Sequence, residues 1–187
     1  GVRKSNASEA VLEFAERYNI PVATTMSAKG DFPESHGLSL GVFGWSGSGT
    51  ANETLMSKEV ECLLVVGSKL GQIATMCWSE DLRKNRSLIQ IDIDSSNLNQ
   101  SYQADMAVNS DAKAAFDYYL GLSAENEDVD RLRKTALARK DWIDTCREVR
   151  PRYYESQNKT SSEKPIHPAR IIEDLCSSVP NDAQLFV

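Results

Sequence analysis

"ECLLVVGS" at residues 61–68 and "SLIQIDID" at residues 87–94 decide how this chain folds. Each is a near-continuous apolar run without clean alternation, the pattern of strands covered on both faces in a parallel sheet. Downstream, "QADMAVN" at 103–109 is a weaker strand candidate, and "DAKAAFDYYL" at 111–120 restores helical spacing through Ala112, Ala115, Phe116 and Tyr119. Upstream, "IPVATT" at 20–25 reads as a short strand running into the turn-rich "SAKGDFPESHG". Before it, "NASEAVLEFAERY" at 6–18 puts Val11, Leu12, Phe14, Ala15 and Tyr18 on one helical face, with Asn6 and Glu9 at capping-box spacing. "GVFGWSGSGTANE" at 41–53 reads as a glycine loop entering a short helix, with Thr50 and Glu53 repeating the capping-box spacing. Helix, strand, helix, strand, crossover, strand, strand, helix is the order of an α/β protein. It predicts a doubly wound, mainly parallel, Rossmann-like sheet with right-handed crossovers.

Past Gly121 the chain becomes charge-dense. Val129, Leu132, Ala136, Ile143, Cys146 and Tyr153 trace one stripe, which predicts a long surface helix that Pro151 ends or kinks. "ESQNKTSSEK" is a polar linker. "IHPARIIEDLCSSVP" then opens a helix with Pro168 at its first position and Ile171, Ile172 and Leu175 on one side, and "AQLFV" reads as the beginning of a strand. The expected division is a central domain over 1–121, a linker with the long helix over 122–165, and the start of a further domain over 166–187.

With 187 residues, 41% hydrophobic and 26% charged, the chain suits one full domain with extra material, or two small ones. A net charge of -6 argues against a nucleic-acid partner, which needs clustered Lys and Arg. Cys62, Cys77, Cys146 and Cys176 are too scattered for a zinc site or a disulfide scaffold, so a cytoplasmic setting is expected. There is no apolar run of bilayer length and no leader, so no membrane partner is expected, and a first residue that is Gly1 suggests a fragment.

Ligands of doubly wound sheets sit beyond the carboxyl ends of the strands. The loop at 26–31, "GWSGSG", "GSK" at 67–69, and Asp92 and Asp94 all fall there. Acidic side chains at strand tips accept from ribose hydroxyls, and free amides at a helix start bind pyrophosphate, so the layout suits a dinucleotide. Against that, the glycine loop lacks both the Lys of a P-loop and the placement of a GxGxxG turn. Asp92 and Asp94 serve equally well as caps. His36 and His167 read as turn or cap residues, Trp45 and Trp78 as packing, and the 128–152 charge run as a solvated face. No Ser, His and Asp set falls at one site. The residues alone describe a nucleotide-type α/β domain without visible catalytic groups.

Five segments in order, "IPVATTMSAKGDFPESH", "LGVFGWSGSGTANE", "ECLLVVGSKLG", "SLIQIDID" and "NSDAKAAF", resemble the central domain of thiamine-diphosphate-dependent enzymes of the acetolactate synthase, pyruvate oxidase and benzoylformate decarboxylase group. "KPIHPARIIEDL" and "VPNDAQLFV" resemble the opening of the next domain. The resemblance implies a parent enzyme that decarboxylates a 2-oxo acid and then protonates, oxidises or ligates the product. Thiamine diphosphate and Mg²⁺ would lie between the first and third of three domains at a subunit interface. The activating Glu and the Gly-Asp-Gly...Asn motif of those domains are absent here, so no catalytic residue is expected in this chain, and its partners would be the other two domains and a further copy of the parent.

The central domain binds FAD in some members and ADP or nothing in others. Family contacts carry over to Met26 to Gly30, Gly44, Gly47, Gly67, Ser68, Lys69, Asp92, Ile93, Ser110 and Asp111. Two departures stand out. Lys69 replaces the usual Arg, and a Lys lacks the planar fork that grips a diphosphate. Ser110 replaces a usual Gly. The family pattern also places a strand immediately before Gly1, in the middle of the sheet; "AQLFV" or a neighbouring chain would be a candidate to replace it. The rival readings are a stand-alone FAD, ADP or NAD module, a nucleotide-sensing regulatory domain, and a sirtuin-like deacetylase core, which needs a catalytic His and a zinc cluster.

Overall fold

The computed structural model describes residues 1–122, 127–149, 156–180 and 183. Two compact units result, Gly1–Arg152 and Tyr153–Val187.

The first unit runs α1 (Ser8–Tyr18), β1 (Val22–Thr25), β2 (Ser39–Phe43), α2 (Gly49–Met56), β3 (Cys62–Val66), β4 (Ser87–Asp92), β5 (Met106–Asn109), α3 (Ala112–Gly121) and α4 (Glu127–Val149). Every strand pairing is parallel, as the apolar runs predict. The helix starts differ from expectation. Asn6 adopts a left-handed φ of 52° and Ala7 precedes α1 with no side-chain cap. Ser48, not Thr50, caps α2 by accepting from the Ala51 N–H. Asp111 caps α3 through the Ala114 N–H. β2 is a strand where a glycine loop was expected: Gly41 sits inside it at φ 88°, and all five of its residues are buried.

The strands form two sheets, β1-β2 and β3-β4-β5. They share one core, in which Leu40 and Phe43 of β2 and Ala51 of α2 pack with Val65 and Leu88, and Ala23 and Leu63 lie against that cluster. β4 is covered as a central strand should be, but in β3 only Val65 is buried and Cys62 is exposed. The sequence of β3 is that of an interior strand; its exposure is that of an edge, because β4 pairs with it on one side alone. On β1 the Thr24 hydroxyl is buried without a partner among the described residues. Among the described residues, β1-β2 and β3-β4-β5 are therefore separate ladders. Of "AQLFV", only Ala183 lies within the described residues.

α3 packs on α1 through an edge-to-face contact of Phe14 with Phe116 at a centroid distance of 5.1 Å, and within α1 the same ring meets Tyr18 at 5.0 Å. α4 belongs to the first unit. Its stripe residues Ala136, Ile143 and Cys146 are buried, and Ile143 joins Ala15, Phe32 and Leu38 in a second core. Asn19 Nδ2 donates to the Ala136 carbonyl at 2.9 Å, and Arg147 Nη1 to the Gly37 carbonyl at 2.5 Å. The side chains of Val129 and Leu132, and residues Pro151 and Tyr153, lie outside the described residues.

In the second unit, α5 (Pro168–Ser178) starts with Pro168 and is capped by His167, whose Nδ1 accepts from the Ala169 N–H at 3.2 Å. Arg170 pairs with Asp174 at 2.8 Å and Lys159 with Glu173 at 3.0 Å. Ile171, Ile172 and Leu175 are exposed.

Candidate functional site

The expected site residues follow the carboxyl ends of the strands in two groups. Met26, Gly30, Gly44 and Gly47 come after β1 and β2. Gly67, Ser68, Lys69, Asp92, Ile93, Ser110 and Asp111 come at or after the ends of β3, β4 and β5.

In the first group, Met26 opens a single 3-10 turn, and Gly30 takes φ 85° at the end of the loop. Arg3 holds this loop from outside, with Nε donating to Asp31 at 2.6 Å and Nη2 to the Lys29 carbonyl at 3.3 Å. "GVFGWSGSG" is a strand-to-helix turn bonded to itself. Ser48 Oγ donates to the Leu40 carbonyl at 2.7 Å and accepts from the Ala51 N–H at 3.1 Å. Asn52 clips the Gly44 peptide at both ends: its Oδ1 accepts from the Gly44 N–H at 2.9 Å, and its Nδ2 donates to the Gly44 carbonyl at 3.0 Å. Ser48, Gly49, Thr50 and Ala51 are all buried, so the start of α2 is enclosed.

In the second group, Gln90 does the positioning. It is 2% exposed; its Nε2 donates to the carbonyls of Ser68 at 3.1 Å and Asn97 at 3.0 Å, and its Oε1 accepts from the Asn99 N–H at 3.0 Å. One side chain thus ties the loop after β3 to the loop after β4. Asp92 is also buried, and its Oδ1 accepts from the Asp94 N–H at 2.9 Å and from Asn97 Nδ2 at 3.3 Å. Asp94 is a local cap: hydrogen bonds from the Ser96 hydroxyl and N–H hold its carboxyl below the ordinary value. Ser110 donates its N–H to the Asp92 carbonyl at 3.1 Å, and Ile93 is exposed. Gly67, Asp92, Ile93, Ser110 and Asp111 line a cleft of about 120 Å³ together with Gly1 and Lys4. Lys69 instead faces a wider cleft of about 520 Å³, beside Gln72, Trp78 and Gln100.

His36 serves as a turn residue. Its Nδ1 accepts from the Leu38 N–H at 3.1 Å and its Nε2 faces Glu16 at 3.1 Å. Gln90, Ser48 and Asn52 were missed as positioning residues. The signal for Gln90 was a single amide in the middle of "SLIQIDID"; a polar group inside a buried strand needs partners.

Parallel strands with helices, ending in glycine turns and acidic tips, define an α/β domain of nucleotide-binding architecture. The sequence profile of the thiamine pyrophosphate enzyme central domain matches residues 1–118, and the chain belongs to that family. It is 31% identical over 94% of its length to a probable acetolactate synthase large subunit of Methanocaldococcus jannaschii, of which it covers 27%. It is 32% identical over 84% of its length to the acetolactate synthase large subunit of Lactococcus lactis, covering 26% of that protein. A 3D-(3,5/4)-trihydroxycyclohexane-1,2-dione hydrolase of Clostridium perfringens is 30% identical over 76% of this chain, which covers 22% of it. The chain thus spans about a quarter of the length of these relatives. Among the described residues no helix is long and apolar enough to cross a membrane, and no group of three or more His, Cys, Asp or Glu is placed to hold a metal. The sirtuin-like alternative is left without support.

Proposed function

We propose that this chain is the central domain, with the connection to the following domain, of a thiamine-diphosphate- and Mg²⁺-dependent enzyme acting on 2-oxo acids. The parent would be an acetolactate synthase-like carboligase or decarboxylase, working as a homo-oligomer in the cytoplasm. The observation that carries this reading is the family match over residues 1–118 together with similarity to an acetolactate synthase large subunit over 94% of the chain.

Thiamine diphosphate supplies the carbanion chemistry when bound, and the residues that hold it belong to the other domains. The contribution of this chain is to space and orient those domains. α4 suits that task because it is pinned to the domain body by Ile143, Cys146 and the Arg147 to Gly37 hydrogen bond.

The test is pyruvate consumption by the parent protein with and without thiamine diphosphate and Mg²⁺, alongside residues 1–187 alone. Cofactor-dependent turnover by the parent and none by the isolated segment is expected. Turnover by the segment, or cofactor-independent turnover by the parent, would overturn the assignment.

A further inference from the structure

We infer that this domain works without a bound nucleotide, because its own backbone fills the space that FAD or ADP would need. The inference rests on the central-domain reading only for which residues would meet the nucleotide.

A glycine that serves a ligand leaves room where its side chain would be. Of the four glycines expected to do so, Gly30 leaves room, its nearest neighbour being the Arg3 guanidinium at 3.7 Å, and the other three leave none. At Gly44 an added Cβ would lie 2.6 Å from the Ile73 carbonyl oxygen and 3.2 Å from Ala74 Cα. At Gly47 it would lie 2.4 Å from the Val42 carbonyl oxygen, and at Gly67 2.6 Å from Gly1 Cα. The neighbours of these three are main-chain atoms, so each of the three is explained by the chain packing on itself.

The remaining groups are committed in the same way. The Trp45 N–H donates to the Ile73 carbonyl at 3.2 Å, joining the loop after β2 directly to the loop after β3. The start of α2, the expected diphosphate site, is buried with its Ala51 N–H held by Ser48. Asp92, the expected ribose acceptor, is 6% exposed and already accepts from Asp94 and Asn97. The cleft left beside it, about 120 Å³, is below the roughly 300 Å³ at which small-molecule sites begin. The wider cleft of about 520 Å³ holds Lys69 alone of the expected contacts and none of these glycines.

The test titrates FAD and ADP into the purified parent protein by calorimetry, records its visible absorbance as isolated, and follows amide exchange at Trp45. No saturable heat, no flavin band, and Trp45 exchange unchanged by either nucleotide are expected. A stoichiometric flavin, saturable binding of FAD or ADP, or a tenfold slowing of Trp45 exchange on adding either one would overturn the inference. Thiamine diphosphate is titrated into the same preparation. Failure of that titration would strike the proposed function and leave the nucleotide result standing.

Discussion

If α4 is part of the domain body, its buried stripe must carry stability, and Ile143→Ala tests this. Ile143 is 2% exposed and packs with Ala15, Phe32 and Leu38. The substitution removes three carbons from that core. At about 0.8 kcal/mol per buried carbon the transfer loss alone is roughly 2.4 kcal/mol. The unfilled space raises the total into the range of roughly 2–5 kcal/mol. For a chain of this size, 2.4 kcal/mol corresponds to a fall in Tm of about 5–10 °C. Leu137, on the same helix and 74% exposed, is the control, and Leu137→Ala should cost less than about 0.5 kcal/mol. Thermal unfolding followed by far-UV circular dichroism reads the global transition. With Trp45 and Trp78 replaced by Phe, tryptophan emission reports locally, because Trp142 packs on the same cluster and donates to Glu59 at 3.0 Å. Equal effects of the two substitutions, or a loss at Ile143 below about 1 kcal/mol, would mean that α4 is a detachable connection.

Gln90→Leu should leave the Ser68 and Asn97 carbonyls and the Asn99 N–H without their partner, at about 1–3 kcal/mol for each buried group that water cannot reach; urea unfolding measures the loss, and a midpoint equal to wild type would refute the role given to Gln90. Ser48→Ala removes a helix cap and a buried hydroxyl bond together, so the loss should reach or exceed the roughly 1 kcal/mol of a cap alone, whereas Ser48→Thr should retain most of the stability. Asp105 accepts from the Leu88 N–H at 2.8 Å and lies 3.0 Å from Arg83, and these contacts, the backbone bond first, hold its carboxyl below the ordinary value. Its contribution should therefore be fully present above the unfolded value of 3.8 and be lost as pH falls through the depressed folded value. Urea midpoints of wild type and Asp105→Asn should accordingly converge in acid, and a gap that stays constant from neutral pH to pH 3 would contradict this.

Periodicity and composition found β1, β3, β4, β5 and the helices, because continuous apolar runs and amphipathic stripes report burial directly. β2 was hidden because Gly41 interrupts "LSLGVF" and its positive φ has no signature distinct from a loop glycine. Capping-box spacing misplaced two helix starts, since the spacing cannot tell whether Asn6 or Thr50 has the backbone angles of a cap. The site residues were legible as strand-end positions. Their partners were not, because the bonds of Asn52 to Gly44 and of Gln90 to two loops join residues that only the fold brings together. The half-exposed state of β3 was also illegible, since side-chain pattern reports the surroundings a strand suits and not which of its edges is paired.

The division of the strands into two sheets sets the mechanical character of the domain. Among the described residues no strand of one sheet is paired to a strand of the other, and side chains such as Leu40, Phe43, Val65 and Leu88 make the contact between them. Apolar contacts are non-directional, and sliding along that contact breaks no interstrand ladder. The two halves are thus matched by apolar fit along their strands, and the main-chain bond from Trp45 to Ile73 is the fixed tie between their loops.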